Sequence, residues 1–291
     1  KIIFIHIYIM NTNISIIIPC YNDGKYIREA VSSALSQTYP HIEIIIVDDY
    51  STDPYTQTIL SQLAQEGITV IKTQSGKKGL PAARNTGIAQ ASGVYILPLD
   101  ADDKIDASYA EKAAAVLDKH PDVTICTARV RLFGLHQKEW KQPDSDYANI
   151  VTEECKILST SMFRRKDWER VGGYEERLTL GKEDMVFWLD LLKDGGRVVT
   201  LPEIYIHYRI KSNSMTAATA HSPAEDERQA AMYASRPEIF QAHVLNFMCL
   251  CARYRQEKAR CACLFSWKLM APVFRLEWFL RQKIKRLFGR A

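Results

Sequence analysis

No stretch of the 291 residues reads as a membrane-spanning helix. The apolar opening, Lys1-Ile2-Ile3-Phe4-Ile5-His6-Ile7-Tyr8-Ile9, falls far short of the roughly 20 residues a bilayer requires, and no small-residue cleavage site follows it. Met10 is a candidate start, with residues 1–9 as an upstream extension, and nothing calls for export. Two nucleotide-binding signatures are also missing. No G-x-G-x-x-G follows the first apolar run, which argues against a dinucleotide fingerprint, and no G-x-x-x-x-G-K-[ST] argues for a P-loop. Cysteine is present but odd in number, at seven, which speaks against a closed disulfide framework and for a reducing compartment. Cys249, Cys251, Cys261 and Cys263 form a C-x-C/C-x-C pattern that invites zinc, but i and i+2 diverge on a helix. Small apolar helix residues are the plainer reading of them.

Lopsided composition is absent too, with 47% apolar residues, 25% charged and a net charge of +4. The charge is uneven along the chain, however. Residues 250–291 hold eleven Lys/Arg against two Glu, leaving 27 Lys/Arg against 32 Asp/Glu elsewhere, a net −5. A mildly acidic body thus precedes a strongly basic tail.

The body alternates strand and helix signals. Ile14–Cys20 is a β-branched run stopped by Pro19, the pattern of a strand buried on both faces. Tyr21-Asn22-Asp23-Gly24 gives turn chemistry before helical spacing over 26–37. Ile42–Val47 repeats the strand pattern and ends in Asp48-Asp49, with Ser51-Thr52-Asp53-Pro54 opening a helix that Gly67 stops. Residues 68–71, a Gly-rich loop over 75–79, a helix over 81–91 and a strand over 94–99 complete a β-α-β-α-β-α-β series, which predicts a doubly wound, mostly parallel sheet.

The last of those strands ends in Asp100-Ala101-Asp102-Asp103. Charges inside a strand face a large desolvation cost, whereas the loop after a strand's C-terminal end is where open α/β sheets bind ligands. Three carboxylates there suit a hard divalent cation that holds phosphates, although Asp103 or Asp106 also reads as a cap for the helix that follows. Further along come a helix over 107–119, a strand over 123–133, a break at Gly172-Gly173-Tyr174 and an amphipathic helix over 185–192 with Asp184 at its N-terminus, where the dipole favours its charge. Short strands are expected at Val198–Leu201 and Ile204–Tyr208. Residues 222–291 lack a strand pattern and read as helices over 223–235, 238–254 and 256–287. Trp267, Phe274, Trp278 and Phe279 interleave with basic residues there, as in a helix lying on an anionic membrane surface. The alternative is a helical extension packed on the body.

Seven motifs in this order resemble glycosyltransferase family 2 over residues 13–210: Ser15–Asn22, Ser36-Gln37-Thr38-Tyr39, Val47–Asp53, Ala83-Arg84-Asn85-Thr86-Gly87, Leu99–Asp103, Gly172-Gly173-Tyr174 and Glu183-Asp184. The resemblance implies the GT-A fold and an inverting, metal-dependent transfer of one sugar from a UDP-sugar to a hydroxyl of a glycan or lipid-linked acceptor. It implies that Pro19 and Tyr21 line the base pocket and that Asp49 accepts from the uracil N3–H. Arg84 would approach the diphosphate, Asp100 the ribose or sugar, and Asp102 would bind Mn²⁺ or Mg²⁺. Asp184 matches the catalytic base, Glu183 a structural or acceptor-binding neighbour, and His207 an additional metal ligand. The processive signature Gln-x-x-Arg-Trp is absent, since the corresponding region reads His207-Tyr208-Arg209-Ile210-Lys211, so single transfer is expected. Tyr50 departs from the Gly or Asn usual in the family. The expected domains are an extension over 1–12, a GT-A domain over 13–221 (nucleotide-binding half 13–103, acceptor half 104–221) and the basic helical region 222–291. The expected location is cytoplasmic, peripheral on the inner face of the membrane, with surface-glycan assembly as the process and no nucleic-acid partner. A nucleotidyltransferase is the rival enzyme, but it would carry a Gly-rich basic signature where Pro19-Cys20-Tyr21-Asn22 stands. A non-catalytic glycan- or membrane-binding module is the other rival, against which the intact Asp102 and Asp184 argue.

Overall fold

A computed structural model of the chain describes residues 13–74, 76–140, 147–152, 155, 157–212 and 223–242. Residues 1–9, the cysteine set from Cys249 to Cys263 and the basic stretch 250–291 lie outside the described residues.

Strand β1 (Ile14–Cys20) is buried along its whole length. It pairs in parallel with β2 (Ile42–Asp48) on one side and β4 (Tyr95–Pro98) on the other, and β2 pairs in parallel with β3 (Thr69–Lys72). Helices α1 (Ile27–Leu35), α2 (Pro54–Gln65) and α3 (Leu80–Gln90) make the crossovers. Helix α3 lies close on the sheet because Gly87 has no side chain: a Cβ there would stand 2.5 Å from Ile17 Cγ2 and 2.9 Å from Val47 Cγ2. Burial of these β-branched runs on both faces holds the half together, since a fully buried Ile or Val contributes about 1.5–3 kcal/mol.

The second half is mixed in direction. Strand β8 (Met162–Arg164) runs antiparallel to β4 and to β6 (Val123–Gly134), and β7 (Lys138–Trp140) is antiparallel to β6. Strand β9 (Arg197–Ile210) is parallel to β6, and β5 (Lys104–Ile105) is antiparallel to β9. The sheet order is β3-β2-β1-β4-β8-β6-β9-β5, with β7 added on β6. The parallel expectation therefore describes the first half. The two strands expected around 198–208 are one: Pro202 and Glu203 bulge out between the pairs Ala128–Leu201 and Arg129–Ile204, and pairing resumes beyond them.

Helices α4 (Tyr109–Lys119), α5 (Tyr147–Thr152) and α6 (Arg165–Val171) precede α7 (Glu183–Leu192). The amphipathic reading of α7 needs correction. Glu183 and every residue from Met185 to Leu192 are buried, Asp190 included. Arg236 neutralises Asp190 with bonds of 3.0 and 2.6 Å. Arg236 follows α8 (Pro223–Ser235). Contacts divide the chain after Pro237, and the second unit's described residues 238–242 are the body of a short helix, α9 (Pro237–Ala242).

Candidate active site

The C-terminal ends of β1, β2 and β4 carry Tyr21–Asp23, Asp48–Asp49 and Asp100–Asp103 to one edge of the sheet. The first two loops are stitched by side chains. Asn22 Oδ1 accepts from the backbone N–H groups of Thr52 (2.8 Å) and Asp53 (2.9 Å). Asp53 in turn caps α2 by accepting from Thr56 N at 2.9 Å. Asn22 and Tyr50 both sit in left-handed backbone, at φ 58° and 59°. The left-handed backbone at position 50 suits the Gly or Asn that the resemblance leads one to expect there, since Gly has no Cβ to clash and the short polar side chain of Asn bonds locally. Here the Tyr50 hydroxyl compensates by donating to the Thr73 carbonyl at 3.1 Å.

Pro19 is buried in β1, whereas Tyr21 is 45% exposed, its ring facing the Lys78 ammonium at 4.8 Å. Asp49 is buried and already engaged: Oδ1 accepts from the Thr73 hydroxyl and Oδ2 from Gly79 N, each at 2.8 Å. These bonds tie the loop after β2 to the loop that enters α3. They leave Tyr21, Lys78 and Asp49 around one rim, an apolar ring face beside a fixed acceptor.

The acidic turn is differentiated. Asp103 is fully buried, accepts from Arg209 N at 2.8 Å, and its carboxyl is pushed well up by burial and by Asp102 and Asp100. Asp102 is pushed up by burial too, with Lys211 pulling it back. Its Oδ2 lies 2.7 Å from the Lys211 ammonium, which also meets Asp23 Oδ1 at 2.8 Å. Burial opposes the Lys211 charge, but Asp102 and Asp23 outweigh it and hold the proton more tightly than usual. Asp102 is therefore a carboxylate that holds a cation in this structure. That fits a divalent ion, which takes one or two protein carboxylates and completes its shell with water and phosphate oxygens. Among the described residues no three His, Cys, Asp or Glu side chains are grouped to hold a metal by themselves. His207, expected as a ligand, turns its Nε2 to Asp106 at 2.8 Å instead of to Asp102.

Arg84 is also placed differently from the expectation. It is 1% exposed, so its guanidinium is closed to a diphosphate. One amino group donates to Glu183 Oε1 at 2.6 Å and the other to Asp100 Oδ1 at 2.8 Å, while the plane faces the Tyr174 ring. Burial works against this charge, and Asp100 and Glu183 prevail in keeping it protonated. The other Asp100 oxygen accepts from Ser159 at 3.1 Å. The next residue, Asn85, accepts from Tyr174 N at 2.8 Å and Trp168 Nε1 at 3.0 Å, and donates to the Tyr174 carbonyl at 2.9 Å. Gly173 must be glycine here, with φ 82° and only 2.7 Å between a would-be Cβ and Asn85 Oδ1. Helix α3 thus joins three of the sequence motifs through two adjacent side chains.

Glu183 begins α7 after a left-handed Gly181-Lys182 turn, and Asp184 follows it, half-buried, with Oδ1 accepting from Met185 N at 2.8 Å. Burial and the neighbouring Asp184 push the Glu183 carboxyl up to about 7, against the pull of Arg84. Asp23, Ser159 and Lys211 are the site residues that sequence reasoning missed. Each is a lone polar residue in a loop or at a strand end, and only the tertiary fold gives it a partner.

Comparison with known proteins accords with this geometry. The sequence model of glycosyl transferase family 2 matches residues 15–180. Poly(ribitol-phosphate) beta-N-acetylglucosaminyltransferase TarS of Staphylococcus aureus is 29% identical over 224 residues, covering 73% of this chain and 38% of that protein. The putative teichuronic acid biosynthesis glycosyltransferase TuaG of Bacillus subtilis is 29% identical over 214 residues, 70% of this chain and 81% of that one. The chain therefore spans well under half of TarS and most of TuaG. The crystal structure of S. aureus TarS 1–349 in complex with UDP-GlcNAc superposes with a TM-score of 0.61 at 24% identity, over 76% of this chain and 66% of that one. The shared architecture is the GT-A fold, and with more than half of its length matched the chain belongs to glycosyltransferase family 2.

Proposed function

We propose that residues 13–221 transfer a single sugar, with inversion, from a UDP-sugar to a hydroxyl of a glycan or lipid-linked acceptor. The observation that carries this reading is the Arg84 bridge, which fastens Asp100 on the donor side to Glu183, the immediate neighbour of Asp184. A base is useful only if its distance from the donor is fixed, and one buried guanidinium does this between two chain segments. In this reading Tyr21 stacks on the uracil, and Asp49 accepts from its N3–H, which bases without that donor cannot supply. Asp184 takes the proton of the acceptor hydroxyl as that oxygen bonds to C1. The C1–O bond to the diphosphate breaks on the opposite face, and its electron pair leaves with UDP. Asp102 would hold Mn²⁺ or Mg²⁺, which neutralises charge on the departing diphosphate. Uridine specificity draws support from TarS, whose complex contains UDP-GlcNAc. Incubating the protein with a panel of UDP-sugars should give slow release of UDP from one of them, lost on chelation with EDTA and restored by Mn²⁺. Equal release with EDTA present throughout would refute the metal dependence.

The basic stretch 250–291 is read as a peripheral contact with an anionic, cytosol-facing membrane. Among the described residues no helix is long and apolar enough to cross one. Removing 250–291 should abolish co-sedimentation with phosphatidylglycerol vesicles in low salt. Undiminished sedimentation would sink this reading.

A further inference from the structure

Lys211 lies outside the seven motifs of the resemblance, yet it occupies the carboxylate assigned above to a metal ion. We propose that Lys211 is a tethered cation that competes with the divalent ion for Asp102, so that metal uptake requires its ammonium to leave. The inference rests on the reading of Asp102 as the metal-holding residue.

The ammonium does not reach Asp102 by chance. Strand β9 is fastened to the acidic turn just before Lys211, with Arg209 N donating to Asp103 Oδ1 at 2.8 Å and Arg209 Nε to the Asp102 carbonyl at 2.7 Å. The Lys211 ammonium then lies 5.1 Å from the centre of the Tyr26 ring and bonds to Asp102 and Asp23 together. Its side chain is 11% exposed and that of Asp102 19%, so salt and water screen the pair far less than a surface ion pair. A divalent ion needs the lone pairs of the carboxylate whose Oδ2 the ammonium already uses, and two cations on one carboxylate repel. Asp23 gives the displaced lysine a second anchor, so the exchange moves the ammonium without stranding it. An incoming diphosphate offers that ammonium another partner of opposite charge. Metal binding to the donor-free protein is therefore held weak by the protein's own side chain.

Donor-free Mn²⁺ binding, read from the electron paramagnetic resonance of free Mn²⁺, tests this directly. Lys211→Met should bind Mn²⁺ about tenfold more tightly than the unaltered protein, because a charge-assisted bond no longer has to be broken. Lys211→Arg, which keeps a cation, should retain the weak affinity, and Asp102→Asn should lose the site in either background. A second measurement needs no variant. Acylation of Lys211 by acetic anhydride, followed by mass spectrometry, should quicken when Mn²⁺ is added, because the amine is then held by Asp23 alone instead of by two carboxylates. Unchanged affinity in Lys211→Met, or unchanged Lys211 labelling with Mn²⁺ bound, overturns the competition while leaving Asp102 as the metal holder. Undiminished Mn²⁺ binding in Asp102→Asn overturns both.

Discussion

Replacing Asp184 by Asn should lower sugar transfer by about two to four orders of magnitude, the usual contribution of a positioned general base. UDP affinity, read by calorimetry, should be unchanged. The split follows from position. Asp184 lies at the first turn of α7, and among the described residues no hydrogen bond or ion pair joins its side chain to Tyr21, Lys78 or Asp49 at the rim. Its Oδ1 is occupied by Met185 N, and among the described residues Oδ2 takes no hydrogen bond, so one oxygen remains for an acceptor proton. Asn keeps the size and can still accept from Met185 N, so folding is preserved while the proton acceptor is lost. Thermal melting should accordingly match the unaltered protein. Transfer within tenfold of normal would show that another group takes the proton, and the buried Glu183 would be the first to test.

Much of this arrangement is legible in the amino-acid sequence. The β-branched runs at 14–20 and 42–48 announce strands because burial on both faces removes the alternation that a half-exposed strand would need. Positions that demand special backbone were legible as well. Gly172-Gly173 marked a break, and both residues have positive φ, while Tyr50 stood out as a non-glycine at what proves to be a left-handed position. Charge partnerships were not legible. Arg84 is 99 residues from Glu183, and Lys211 is 188 from Asp23, and no local periodicity encodes a contact across such distances. A motif arginine beside a diphosphate site reads naturally as a phosphate ligand, and only burial distinguishes that role from a strut between carboxylates. The continuity of β9 was hidden for a related reason. Pro202 and Glu203 interrupt its pattern, and the pairing with β6 that carries the strand past them is tertiary.

Arg84→Met should be the most destabilising single change in the site, by about 3–5 kcal/mol, the cost of leaving a buried charge without its partner. Met approximates the length of the side chain and can rest on Tyr174, so the loss is electrostatic more than steric. Glu183, 4% exposed, and Asp100 would both lose their bonds to the guanidinium. The deficit should depend on pH, and its sign follows from Glu183. Burial, with Asp184 adding, raises its folded pKa from 4.5 to about 7, so its contribution to stability is full below 4.5 and declines as pH rises through about 7. Without Arg84 the neutral acid becomes still more favoured, and ionising it at higher pH costs more. Urea melts of the variant should thus fall further below those of the unaltered protein at about pH 8 than at about pH 5. Adding Glu183→Gln should recover part of the loss and flatten the pH dependence, because the amide has no charge to strand. If Arg84→Met melts with the unaltered protein at both pH values, the guanidinium is not holding the two carboxylates. The Arg84 bridge would then no longer support a fixed spacing between donor and base.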